Sequence, residues 1–187
     1  MPKTKKIDER NASLRVATWF FSFPNKEMSL NDLAENVEIS KTTAKKIVNF
    51  FVEKGFLKKE ILGKTWRLTC NQQHSDNVRI KIPFNLLTIY ESNILDKIHE
   101  IVPNSRAIIL FGSYRKGDDT EESDVDIAVE VLDNKEVKIV DLGKIDINYR
   151  KKVQVNLHVF SRNKIDLNLF SNIANGIILE GFLEVRP

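Results

Sequence analysis

Ala107-Ile108-Ile109-Leu110-Phe111-Gly112-Ser113, ten further residues, and then Asp124-Val125-Asp126-Ile127-Ala128-Val129 form the stretch that decides the fold. The unbroken apolar run 107–111 has the character of a buried strand, and Ile127-Ala128-Val129 continue the Asp124-Asp126 pair as another. Gly112-Ser113 follows the first strand at once. Asp124 and Asp126 stand two apart, so in extended backbone they project from one face. Between the two strands lie Tyr114-Arg115-Lys116-Gly117 and the loop acids Asp118, Asp119, Glu121 and Glu122.

Working outward, a helix is expected from Glu91 or Ser92, with Ile94, Leu95, Ile98, Ile101 and Val102 on one face and Pro103-Asn104 ending it. Before it, Val78 to Ile82 alternate as a strand does, while Pro83, Phe84, Leu86, Leu87 and Ile89 equally begin a helix. Downstream, a helix is expected around Asp141 to Arg150, and Val153 to Phe160 alternate as a third strand. Ile165 to Phe170 and Asn172 to Gly176 read as helical, before the apolar stretch Ile177 to Leu183.

A strand, Gly-Ser, a short helix or turn, and Asp-x-Asp on the next strand resemble the DNA polymerase beta-like nucleotidyltransferases, in particular their minimal branch with this ten-residue spacing. The resemblance covers about the last hundred residues. It implies a Mg²⁺-dependent transfer of a nucleoside monophosphate from a nucleoside triphosphate, with ATP the expected donor, to an acceptor. Asp124 and Asp126 would be the catalytic metal ligands, sharing Mg²⁺ from one strand face. Gly112 would let the backbone approach the triphosphate, Ser113 would donate to its oxygens, and Lys116 or Arg115 would add positive charge. Ser123 is expected to orient Asp124. The family usually carries a third carboxylate on the following strand, whereas Gln154, Asn156 and His158 occupy the polar face here. A neutral amide ligates Mg²⁺ weakly and takes up no proton near neutral pH. His158 is read as a hydrogen-bonded structural residue ahead of a base, and Asp141, Asp146 or a loop acid is a further candidate for the vacant role. Minimal members of this kind resemble antitoxins that adenylylate a HEPN toxin, which makes a protein hydroxyl one candidate acceptor.

The front of the chain has another character. Residues 1–70 carry 14 Lys/Arg against 8 Asp/Glu, whereas residues 71–187 carry 15 against 18, so a net charge of +3 conceals a basic half joined to an acidic one. Asn11 to Phe23 read as a first helix stopped by Pro24-Asn25. Ser29 and Asp32 form an acidic capping box for a second, and Ser40 caps a third. In that third helix Ala44, Ile47, Val48, Phe51 and Val52 face inward, and Gly55 stands at its C′ position. Phe56 to Ile61 and Thr65 to Thr69 read as a hairpin about Leu62-Gly63-Lys64. Helix, helix, turn, helix and basic hairpin resemble the winged helix-turn-helix family over about sixty residues. That resemblance implies DNA contacts from Thr42, Thr43, Lys45 and Lys46 of the third helix and from Lys58, Lys59 and Lys64 of the wing. No Arg lies on the expected reading face, so strong guanine readout is not indicated.

The expected architecture is therefore α+β with two domains: a winged helix-turn-helix over 1–72, three helices plus a β-hairpin wing, and a nucleotidyltransferase-like domain over 78–187, a mixed sheet flanked by helices. Residues 71–77, polar throughout, would be the join. No apolar run reaches the roughly 18 residues of a membrane span. The basic start leads into Ile7-Asp8-Glu9-Arg10 in place of an apolar segment, so no secretory signal is expected. A lone cysteine, Cys70, excludes an internal disulfide and fits a reducing cytoplasm. Winged-helix proteins often form homodimers, though no heptad seam points to one here. Two functions follow: a nucleotidyltransferase tethered to DNA, or a DNA-binding regulator whose second domain only binds or senses nucleotide.

Overall fold

The computed structural model describes residues 2–133 and 135–185. Met1, Asn134, Arg186 and Pro187, which the expected domains include, lie outside the described residues. Two compact units divide the chain, the first running to Lys81 and the second beginning at Ile82.

In the first unit, α1 (Pro2–Ser22) is buried all round over its last two turns, Val16 to Ser22, with Trp19, Phe20 and Phe21 among them. A short strand, β1 (Met28–Ser29), leads into α2 (Leu30–Asn36). Ser29 Oγ accepts the Asp32 N–H at 3.2 Å, the N-cap half of the expected capping box, while Asp32 Oδ2 accepts from the Ser29 hydroxyl at 2.7 Å in place of its backbone N–H. Ser40 opens α3 (Lys41–Glu53) by accepting the Thr43 N–H at 3.1 Å, and Ala44, Ile47 and Val48 are buried beneath it. Gly55 ends the helix in the left-handed region at φ 80°. The hairpin β2 (Leu57–Leu62) and β3 (Thr65–Cys70) turns at Gly63-Lys64, and β1 adds to β3, for the antiparallel order β1-β3-β2. The polar join is itself folded. Asn77 is buried and its amide reaches the carbonyls of Asn71, Gln72 and His74, so that α4 (Asp76–Arg79) begins inside the stretch.

The segment with two readings is a helix, α5 (Lys81–Glu91), with Pro83 in the first turn, where a missing N–H costs nothing. Then come α6 (Ile94–Ile101), β4 (Ala107–Phe111), α7 (Gly112–Lys116), β5 (Val125–Glu130), β6 (Lys138–Ile147) and β7 (Arg150–Phe160). A 3₁₀ turn over Arg162–Lys164, α8 (Leu167–Ala174) and β8 (Ile177–Gly181) complete the unit. The helix expected around Asp141 to Arg150 does not form. Val140, Leu142, Ile145 and Ile147 pack toward the core, and the pairing register with β7 shifts between Asp141 and Lys144. That bulge, with Gly143 at φ 85°, sets the inward-facing Leu142 and Ile145 three positions apart and so mimics a helical spacing.

The five strands run in the order β6-β7-β5-β4-β8, parallel only between β5 and β7. One sheet face, with Ile108, Leu110, Val125, Ile127, Val155 and Leu157, packs against Ile89 of α5 and Ile94 and Ile98 of α6. On the other, Ile109, Phe111, Ala128 and Phe160 pack with Ile173 of α8 and Leu183. The protein is thus a mixed α+β molecule whose second unit is a mixed sheet with helices on both faces.

Candidate active site

Antiparallel pairing of β4 with β5 sets Phe111 opposite Asp126, so the chain leaves β4 at the point where the second acid begins its strand. Gly112 follows, at φ 72°, and a Cβ built on it would come within 2.8 Å of Asp126 Oδ2. Glycine suits this position, because the backbone is in the left-handed region and a Cβ would push the Asp126 carboxylate aside. Ser113 and Arg115 are half-buried on α7, and Lys116 is exposed. Asp124 is exposed immediately before β5, and Asp126 is half-buried within it. The structure therefore brings Gly112 and Asp126 together, with Asp124 one strand step away.

Parallel pairing with β7 places Asn156 beside Asp126 and His158 beside Ala128. Asn156 Nδ2 donates to Asp126 Oδ1 at 3.4 Å, and His158 Nε2 lies 3.6 Å from that same oxygen. The His158 side chain is 14% exposed, its ring is edge-on to Phe111 at 5.0 Å, and its Nδ1 is buried with no hydrogen-bond partner. The hydrogen-bonded structural histidine expected from the sequence is therefore not what forms. Asp141, paired with Asn156 from β6, extends the row Asp126, Asn156, Asp141 across three strands. Its carboxylate is engaged elsewhere. The Gly143 N–H at 2.6 Å and the Gln154 amide donate to it and hold its pKa below the usual carboxylate range. Asp146 is likewise occupied at the end of the β6–β7 hairpin, by the Lys152 N–H and by Lys151, each at 3.0 Å. Among the described residues, no three His, Cys, Asp or Glu side chains converge to hold a metal ion.

The loop between α7 and β5 is held by residues that sequence reasoning missed. Arg150, buried at the start of β7, donates to the Tyr114 hydroxyl and, at 2.7 Å, to the Ser123 carbonyl. Ser123 Oγ accepts the Thr120 N–H at 2.9 Å, so its contacts are with the loop and not with the Asp124 carboxylate. Asn85 of α5 donates to Asp119 at 2.8 Å and to the Tyr114 carbonyl at 3.2 Å. Burial pushes the Tyr114 phenol well above its ordinary range, so it stays a neutral hydroxyl. These partners are 27 to 36 residues apart in the chain, and nothing in local pattern marks them.

In the first unit Thr42, Lys45, Lys46 and Asn49 are exposed along α3, while the Thr43 hydroxyl sits 2.8 Å from Ser40 Oγ within the cap. Lys41, Lys45, Lys64 and Trp66 line a cleft of about 220 Å³ with Ser29 and Asn31. Lys45 and Lys59 approach the Trp66 ring at 5.7 and 4.3 Å. Strand alternation puts Lys58 on the other face of the hairpin, with Glu60 and Arg67, so it does not join that group.

No helix among the described residues is long and apolar enough to cross a membrane. No curated protein matches the chain. Residues 91–179, which run from the end of α5 into β8 and hold Gly112, Ser113, Asp124 and Asp126, match the family model of the nucleotidyltransferase domain.

Proposed function

We propose that the second unit transfers a nucleoside monophosphate from a nucleoside triphosphate, ATP in the first instance, to an acceptor hydroxyl. The observation that carries this reading is the seating of Asp126 against the side-chain-free backbone of Gly112, with Asp124 two residues before it, inside a matched nucleotidyltransferase segment. Asp124 and Asp126 supply an all-oxygen donor set suited to Mg²⁺, and the space that a Cβ would fill at Gly112 keeps the carboxylate and the phosphate path open. A bound Mg²⁺ would clamp the triphosphate and neutralise its charge. Gly112 and Ser113 would then hold the phosphates, with Lys116 as an exposed positive charge in the same short helix. The acceptor oxygen bonds to the α-phosphorus as the bond to the leaving pyrophosphate breaks, and the hydroxyl proton passes to solvent.

The first unit, in this proposal, is a winged helix-turn-helix that meets DNA through Thr42, Lys45 and Lys46 of α3 and Lys64 of the hairpin. Its exposed lysines and two-residue hairpin turn support that assignment, with Thr43 serving the helix cap. A protein hydroxyl, such as that of a HEPN-type toxin, is the acceptor to try first. The single buried Cys70 is in keeping with a reducing cytoplasm.

With Mg²⁺ and α-labelled ATP, label is expected on a co-incubated protein acceptor and is expected to fall at least about 100-fold in Asp124→Asn and Asp126→Asn. Transfer unchanged in both variants would remove the two aspartates from the chemistry. A second reading has one observation in its favour: Asn156, an amide, stands in register beside Asp126 where a carboxylate is usual. Under it, ATP alters DNA affinity without being consumed, so product analysis during a DNA-binding titration separates the two.

A further inference from the structure

We propose that His158 is a ligand of the divalent ion held by Asp126, making the centre a mixed nitrogen–oxygen site that favours a first-row transition ion such as Mn²⁺ over Mg²⁺. This rests on the metal-binding reading of Asp126 and adds a residue that the Asp-x-Asp pattern does not include. Among the described residues, neither nitrogen of the His158 imidazole has a hydrogen bond: Nδ1 is buried without a partner, and Nε2 stands 3.6 Å from Asp126 Oδ1. That separation is too long for a hydrogen bond. It is close to the gap of about 3 to 3.5 Å left between two ligands that bind one ion through bonds of about 2.1 Å. Nε2 is the ring nitrogen placed to bind such an ion, which leaves the proton of the neutral imidazole on Nδ1.

The surroundings aim the ring at this position. Phe111 packs edge-on against the imidazole at 5.0 Å and limits its rotation, and the parallel register of β5 with β7 brings His158 to the same sheet face as Asp126. Asn156 donates to Asp126 Oδ1, so the β7 position beside Asp126 carries an amide and not a third carboxylate, and His158 would join Asp124 and Asp126 as the added ligand. Two protein ligands are enough when phosphate oxygens and water fill the remaining positions, which is how Mg²⁺ and its relatives are commonly held at triphosphate sites. Exchanging an oxygen ligand for imidazole moves preference along the divalent series, away from Mg²⁺.

The test is a Mn²⁺ titration followed by the electron paramagnetic resonance of the free ion, with a non-transferable ATP analogue present, on wild type, His158→Ala and Asp126→Asn. Mg²⁺ affinity is measured by competition. Expected are a loss of at least about tenfold in Mn²⁺ affinity in His158→Ala, a Mg²⁺ affinity changed by less than about threefold, and a nitrogen coupling to bound Mn²⁺ that this variant lacks. Should His158→Ala fail to fold, wild type still answers: Mn²⁺ must broaden the His158 ring resonances ahead of those of His74 and His99. Unchanged Mn²⁺ affinity in His158→Ala, with binding lost in Asp126→Asn, overturns the role of His158 and leaves the Asp126 metal reading standing. Binding unaffected by either substitution overturns both.

Discussion

Gly112 is where backbone conformation and chemistry meet most closely, since its φ of 72° and the 2.8 Å approach of a would-be Cβ to Asp126 are one constraint seen twice. Gly112→Ala is expected to cost about 1 to 2 kcal/mol of stability from the left-handed backbone alone. It should also displace the Asp126 carboxylate, so nucleotide affinity, measured by calorimetry, should fall further than the melting temperature suggests. Cys70 is a residue-scale case of another kind. Burial pushes its thiol from 9.0 up to about 11, so the folded state holds the proton after the unfolded chain has released it. A raised pKa contributes stability that is complete below the unfolded value and is lost as pH rises through the folded one. Urea unfolding should therefore show wild type losing about 2 kcal/mol more than Cys70→Ser between pH 8.5 and 11. An equal loss in both would rule out the thiol as the titrating group. The importance of Gly112 was readable from its place beside Ser113, because a glycine between a strand and a helix carries its own conformational meaning. That neither ring nitrogen of His158 is hydrogen-bonded was not readable. Whether a histidine finds a partner depends on which strands flank it.

At the scale of elements, the caps and the β2–β3 hairpin turn were legible because each is decided within four or five residues: Ser29 with Asp32, Ser40 with Thr43, and Gly63-Lys64. Strand β6 was not, because its bulge at Gly143 breaks the two-residue alternation that identifies a strand. The loop ahead of Asp124 depends on an element that follows it in the chain, β7, through Arg150. Removing the guanidinium in Arg150→Met leaves the buried Tyr114 hydroxyl and the Ser123 carbonyl short of a donor. The cost is expected to be about 1 to 3 kcal/mol. Hydrogen exchange should accelerate over residues 117–124 while β4 and β5 stay protected. Uniform acceleration across the sheet would instead make Arg150 a general support of the core.

For the whole molecule, a formal charge of +3 describes neither half. The first unit presents Lys41, Lys45 and Lys64 around one cleft whose lining holds no acid, and the second places Asp124 and Asp126 at one end of its sheet. Lys45→Ala with Lys46→Ala is expected to weaken DNA binding and to flatten the slope of log affinity against log salt by about two, roughly one for each phosphate that a lysine no longer neutralises. A fluorescence anisotropy series across salt concentrations reads this directly, and an unchanged slope would move the DNA-binding surface away from α3. The sequence by itself determined the helix caps, the buried strands, the glycine between β4 and α7 and the uneven charge, since each depends on neighbours within a turn or a strand. Tertiary structure decided that Asn156 stands beside Asp126, that Asp141 and Asp146 are tied to other donors, and that His158 faces a carboxylate with neither ring nitrogen hydrogen-bonded. The meetings at Asp126 are outcomes of strand order and register, which bring together residues about thirty positions apart and leave no trace in local pattern.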